Sequence, residues 1–331
     1  MGMLFLITST IFSQPTAKVT ARFIDEEGHP IEGAKASCGF ESPKKTGLGV
    51  INKRVKGLTD VNGLFTAKSS NNAYGVGCSA KKEGYYRGNG GTGRHTGISG
   101  IYGFRKWQPW NPIIEIVLKK IKNPIPMYVA EMQGRPTYDN DPAMLPEEGK
   151  FFGFDLIAKD WVVPHGQGLH SDFIFKIDVK YFTRDPLEYD STMTLKFTNP
   201  DDGIQPFYTP KNRGSDLRSA HYAPLTGYQD KLITRRFRKS GEILKSPFRD
   251  DQNYYFRIRT KRDDQGNIIE AHYGKIYGNI SYSTPTSDEK GEIYFSYYLN
   301  PNNNDINVEN APEKNLFPKP KGHTGWYRFK P

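Results

Sequence analysis

The sequence predicts an all-β protein made of two sandwiches, and three observations carry that prediction. Short segments of alternating apolar residues recur along the chain, each closed by a turn that uses Gly, Pro, Asn or Asp. The composition favours strands, with 20 Tyr and 20 Phe beside 33 Gly. No stretch sustains a helical period beyond about two turns. At 331 residues the chain is long enough for two domains, and 36% apolar residues suffice for ordinary cores.

Met1 to Gln14 contains an apolar run of about nine residues followed by small and polar ones, the pattern of a signal-peptide core. A helix that spans a bilayer takes ~20 residues, so this run is too short to do so. It lacks a preceding Lys or Arg, and a first apolar β-strand is the competing reading. The expectation is a signal peptide over residues 1–16 and a protein that is secreted, periplasmic or at the cell surface. No later segment is apolar enough to cross a membrane as a helix.

From Lys18 the chain alternates: Val19, Ala21 and Phe23 face one way, Thr20, Arg22 and Ile24 the other. Asp25-Glu26-Glu27-Gly28 turns it, and Pro30-Ile31 with Gly33-Ala34 begins the next strand. Thr59-Asp60-Val61-Asn62-Gly63 is a tight turn in which Asp60 bonds to backbone and Gly63 supplies positive φ. Strands follow from Leu64 and over Ala73 to Ala80, ending at Glu83-Gly84-Tyr85. Between Tyr86 and Asn111 the run R-G-N-G-G-T-G-R-H-T-G-I-S-G-I-Y-G-F-R-K-W-Q-P-W predicts a long loop. Ile113 to Leu118 is the closing strand, and Pro124 and Pro126 stiffen a connector over residues 122–127.

The only two cysteines, Cys38 and Cys78, both fall in predicted strands of this part. An even pair in an exported protein points to a disulfide, with two buried free thiols as the alternative. A zinc site does not fit two Cys without a nearby His pair.

G-x-P-I-x-G-A at Gly28–Ala34, T-D-x-N-G-x-F at Thr59–Phe65 and E-G-Y at Glu83–Tyr85 occur in order. On these residues, 17–121 resembles the carboxypeptidase regulatory-like domain, a transthyretin-like β-sandwich. The resemblance implies that the strands holding Cys38 and Cys78 are neighbours, with the two residues facing each other. It also implies a spacer, stabilising or binding module with no catalytic residues. A bond across the 40 positions from Cys38 to Cys78 stabilises by about 3–4 kcal/mol on loop-closure grounds.

Residues 128–331 remain β, with strands expected at 151–157, 172–182, 191–198, 231–238, 253–262, 268–280 and 291–299. In Phe173 to Val179 every odd-numbered residue is apolar, and Lys176 and Asp178 take the other face. Asp263-Asp264-Gln265-Gly266-Asn267 is a hairpin turn. A jelly-roll-like sandwich is the expected architecture. F-D-L-I-A-K-D-W-V-V-P-H-G, F-T-N-P-D-D-G-I-Q-P and Y-Y-L-N-P-N-N-N-D resemble segments of uncharacterised secreted bacterial proteins, a resemblance that implies fold and compartment but no activity.

The net charge of +10 favours anionic partners. It is spread along the chain without a basic helical stripe or nucleic-acid motif, so it reads as solubility and argues against nucleic acid. The chain has no G-x-S-x-G elbow, phosphate loop or dinucleotide fingerprint. Tyr102, Phe104, Trp107 and Trp110 could form a stacking platform for sugar rings, or could bury the loop that carries them. His165 and His170, with Asp160 or Asp172, have ligand chemistry for zinc. Asp139, Asn140 and Asp141, and likewise Asn302, Asn304 and Asp305, offer calcium-type oxygens or simple turn motifs. The leading expectation is an exported, non-catalytic binding or structural protein without a cofactor, partnered by polysaccharide or envelope protein. Two alternatives stand beside it: a carbohydrate-binding accessory using Tyr102 to Trp110 with the His165 loop, and a metal-dependent hydrolase centred on His165, His170 and Asp172.

Overall fold

A computed structural model describes residues 16–44, 49–70, 75–92, 101–102, 106–107, 110–132, 143–185, 187–209, 213–242, 247–284, 290–318 and 329–331. Residues 1–15, which hold most of the expected signal peptide, lie outside this set. The described residues are strands and turns, with one short 3-10 turn at Pro312–Lys314. The chain divides into two compact units, Met1–Ile121 with Asn212–Asp216, and Lys122–Lys211 with Leu217–Pro331.

The first unit holds β1 (Thr16–Ile24), β2 (Lys35–Pro43), β3 (Val50–Leu58), β4 (Leu64–Ser70), β5 (Gly75–Lys81), β6 (Gly88–Thr92), β7 (Ile101–Tyr102), β8 (Lys106–Trp107) and β9 (Ile113–Val117). One sheet centres on β1, which is antiparallel to β4 and parallel to β8 and β9. The other runs β6-β5-β2-β3 and gains Gly214–Ser215 at its β6 edge. The alternation expected from Lys18 is realised: Val19, Ala21 and Phe23 are buried against Cys38, Phe40 and Val76 in one core. Asp60 accepts the backbone N–H groups of Asn62 and Leu64, and Gly63 has φ +71°. A Cβ on Gly63 would lie 2.3 Å from the Phe23 carbonyl oxygen, so both conformation and space require glycine there.

Part of the expected loop after Tyr86 is a strand. Gly88–Thr92 pairs with β5 from Val76 to Ala80. The glycines are there because β9 packs so closely: a Cβ on Gly88 would come 2.4 Å from Leu118, and one on Gly90 2.9 Å from Ile116. Composition alone signalled flexibility where tight packing was the cause. Cys38 and Cys78 are opposite one another in the β2–β5 ladder and are joined by a disulfide, with Cα atoms 4.1 Å apart.

The second unit contains β10 (Tyr128–Met132), β11 (Ala143–Met144), β12 (Phe152–Asp155), β13 (Asp160–Trp161), β14 (Phe173–Arg184), β15 (Leu187–Lys196) and β16 (Gly203–Tyr208). After β17, the Gly214–Ser215 strand of the first unit, come β18 (Lys231–Arg238), β19 (Gln252–Arg262), β20 (Ile268–Ile276), β21 (Ser281–Tyr282) and β22 (Glu292–Leu299). Two sheets form, β10-β22-β20-β19-β16 and β13-β12-β14-β15-β18. Their facing sides share one core dominated by aromatic rings. Phe173 meets Phe256 edge-on at 5.2 Å, and Phe154 meets Phe295 at 5.8 Å. The proline-flanked connector is tied down: Glu309 accepts the N–H groups of Lys122 and Asn123 through its carboxylate and that of Ile125 through its carbonyl.

Reducing the Cys38–Cys78 bond should lower the unfolding free energy of the first unit by about 3–4 kcal/mol. Urea unfolding with and without reductant measures this, and coincident curves would contradict it.

Candidate functional site

The sequence-predicted site residues are divided between the two units. Trp110 is partly exposed, at 37%. Tyr102 and Trp107 stand in the paired strands β7 and β8. Phe104 lies outside the described residues, as do Asp139, Asn140 and Asp141. His165, in the second unit, is exposed and packs edge-on against Phe152 at 4.7 Å. His170 is also exposed, and its backbone N–H donates to Asp155.

The carboxylate oxygens of Asp172 are already engaged in hydrogen bonds. Arg259 donates to it through Nε at 2.7 Å and Nη2 at 2.8 Å, and the Leu156 N–H adds a third bond. Asp160 likewise spends its oxygens on the N–H groups of Trp161 and Gln167. Asn302, Asn304 and Asp305 hold a turn: Asp305 accepts from Asn307, and Asn304 donates to the Ile269 carbonyl. Among the described residues, the His, Asp and Glu ligand atoms that do converge belong to Asp25, Glu27 and His29. There the Lys120 ammonium already sits 3.6 Å from Asp25 and 3.7 Å from Glu27. Asp25 also accepts the N–H groups of Glu27 and His29, so the group is a reverse turn with its own counter-ion.

Sequence reasoning missed the network that occupies Asp172. Asp155 accepts four backbone N–H bonds, from Ile157, Ala158, Leu169 and His170, which shape the loop carrying both histidines. Burial pushes its carboxyl up, but those donors outweigh burial and hold it below the usual aspartate value. Asp202 accepts the N–H groups of Arg259 and Thr260. Burial wins at Asp172 and Asp202, whose carboxyls are pushed above the usual value despite their donors. Arg259 sits in a bulge of β19 at φ +56°, a left-handed conformation that these bonds hold in place. The cluster is structural: it turns the His165 loop back onto the sandwich.

An open feature of different character lies on the outer face of the β6-β5-β2-β3 sheet. Gly39 is paired with Gly77, Gly77 with Gly91, and Gly39 on its other side with Arg54. Three glycines therefore stand in register across three strands. The next row is polar, with Ser37 opposite Ser79 and Ser79 opposite Asn89. On the other side Glu41 is opposite Asn52. The result is a trough of about 320 Å³ with a backbone floor, rimmed by these groups and by Arg54 and Arg87. A side chain on Gly77 would meet nothing within 4 Å, whereas one on Gly39 would strike Asn52 at 2.5 Å. Beneath this floor lies the disulfide, one position along each strand.

The signal for the trough was present in the sequence. Cys38-Gly39 and Gly77-Cys78 mirror one another, so antiparallel pairing of the cysteines forces the glycines opposite each other. The rim supplies both donors and acceptors plus two guanidinium groups. That set is suited to holding a polar chain laid along the floor.

No family model matches this chain, and no curated protein matches it. A solved structure with partial likeness is 3-chlorocatechol 1,2-dioxygenase from Rhodococcus opacus 1CP. It is 15% identical over 33% of this chain and 61% of its own, with a TM-score of 0.25. A likeness of that size carries no argument about activity.

Arg259→Met should destabilise the protein by about 3–5 kcal/mol at neutral pH, since it leaves buried carboxylates without their cation. Asp172, which the guanidinium grips, already has a raised carboxyl value in the fold. Between neutrality and the ordinary value of 3.8 it therefore takes up a proton in the fold before the unfolded chain does. The deficit should shrink as pH falls towards that value. A loss that stays the same at every pH, or no loss, would contradict this role; urea midpoints across pH decide it.

Proposed function

We propose that this chain is an exported, non-catalytic binding protein whose first unit receives a polar, hydroxyl-rich chain, such as an oligosaccharide, in the glycine-floored trough. The observation that carries this reading is the registered row Gly39–Gly77–Gly91, open to solvent at Gly77 and bordered by the Asn52 side chain over Gly39. Glycine inside a strand costs about 0.5–1 kcal/mol relative to alanine. It is found where a ligand or another backbone must come close. Outer sheet faces ordinarily carry side chains that pair across strands and stabilise them. Here a floor that is open at Gly77 is flanked by groups that can both donate to and accept from hydroxyls.

The disulfide supports the reading of an exported protein. Such bonds persist in oxidising surroundings outside the cytoplasm. Among the described residues no helix is long and apolar enough to cross a membrane. The first unit is read as a carboxypeptidase regulatory-like module, which in that family stabilises or binds rather than catalyses.

A glycan array probed with the wild type, Gly77→Trp and Arg54→Ala tests the proposal. Gly77 faces open space at the Cβ position, so a side chain can leave the backbone there into the trough; urea midpoints check that Gly77→Trp stays folded. The expected result is a glycan bound by the wild type, lost on Gly77→Trp and weakened about tenfold on Arg54→Ala. Binding of no glycan, or Gly77→Trp binding as well as the wild type, would overturn it.

A further inference from the structure

The second unit carries a separate surface that the trough reading does not use. It is the outer face of β14, β15 and β18, continued at one edge by the residues just before β12. Two phenyl rings stand out of this face, Phe151 at 42% and Phe182 at 43% exposure. Each is bracketed by two ammonium groups. Lys196 lies 3.9 Å and Lys176 4.9 Å from the Phe151 ring centre. Lys180 lies 5.7 Å and Lys239 5.9 Å from that of Phe182, which also meets the Phe237 ring at 5.9 Å.

Positions 176 and 182 on β14 place these subsites roughly 20 Å apart, at ~3.3 Å per strand residue. Between them the sheet surface dips into a cavity of about 440 Å³, lined by Asp178, Asp190, Thr192 and Glu148. Part of this charge is already matched: Lys176 pairs with Asp178 at 2.8 Å, and Arg235 grips Asp190 at 2.7 and 2.6 Å. The face therefore alternates in character along β14: ring with cations, carboxylates and a hydroxyl, then ring with cations again.

A matching ligand needs flat apolar faces about 20 Å apart, with anionic groups beside them and hydrogen-bond donors between. We propose that this face binds an acidic polysaccharide, its sugar rings stacked on Phe151 and Phe182 and its carboxylate or sulfate groups on the flanking lysines. Hydroxyls of the intervening sugars donate to Asp178 and Asp190. A polynucleotide fits less well. Each sugar of an acidic polysaccharide keeps hydroxyls beside its charge, whereas a DNA backbone offers phosphate oxygens and no hydroxyl donors to those carboxylates. An anionic membrane would present no donors to them. The ammonium groups lie over the rings in the free protein, so a sugar ring that stacks there takes their place while its anionic group keeps them close.

The test uses the full chain with polygalacturonate and heparin as acidic probes, dextran as a neutral one, and single-stranded DNA and phosphatidylglycerol vesicles as competitors. Binding of at least one acidic polysaccharide is expected, weakening as salt rises. Phe151→Ala and Phe182→Ala should each weaken it about fivefold. Lys180→Gln with Lys196→Gln should weaken it about tenfold and flatten its salt dependence. Urea midpoints establish that the variants remain folded, and the lysine pair decides the matter where a phenylalanine variant does not fold. Gly77→Trp should bind as the wild type does, which separates this surface from the trough. Several results would overturn the proposal: no acidic polysaccharide bound, dextran bound equally well, or DNA or vesicles bound more tightly. So would affinity untouched by the surface variants, or lost on Gly77→Trp.

Discussion

The Cys38–Cys78 bond lies one residue from a pair of strands' barest point, and the first unit depends on that adjacency. Gly39 and Gly77 face each other with no side chains to pair, and Gly91 extends the gap to a third strand. Cross-strand side-chain contacts ordinarily supply much of a ladder's strength. Here a covalent link supplies it from the buried side, where Cys38 and Cys78 point into the core beside Phe40 and Val76. A floor can then be free of side chains without becoming a weak seam. Tight packing of β9 against Gly88 and Gly90 fixes the β6 side of the same sheet.

The second unit uses charge where the first uses a covalent bond. Asp155, Asp172 and Asp202 gather around Arg259, and each spends its lone pairs on N–H donors. Removing carboxylates from water is costly, and such a cluster holds only when its members are bonded. The consequence is a fixed path for the loop between β13 and β14. Hydrogen bonds to backbone and to one arginine engage the carboxylates of Asp160 and Asp172, whose spacing from the histidines had a metal-like look in sequence.

Legibility followed the range of the interactions. Alternation gave β1 and β14 directly, because a strand's burial is written every second residue. Asp60 with Gly63 and Asp263 with Gly266 were readable because an Asx turn is complete within five positions. The strand at Gly88–Thr92 was not, since its glycines answer to Ile116 and Leu118 and not to their neighbours in sequence. Gly214–Ser215 pairs with a strand more than a hundred positions earlier, and no local pattern announces that. Asp172 and Arg259 are 87 positions apart, so the bond that settles the role of Asp172 is invisible along the chain. The trough sits between these extremes. Its glycine pair follows from the mirrored Cys-Gly and Gly-Cys once the cysteines are paired, while its third glycine needs the fold.

Two surfaces of different chemistry thus emerge from one architectural rule: a sandwich hides one face of each sheet and leaves the other to be written by function. The stapled glycine floor is the element on which the binding account rests. The most direct test is backbone amide mapping by NMR during titration with a bound oligosaccharide. The account predicts shifts concentrated at Gly39, Gly77 and Gly91 and in the flanking serines. Shifts that leave those amides still and gather elsewhere would contradict it.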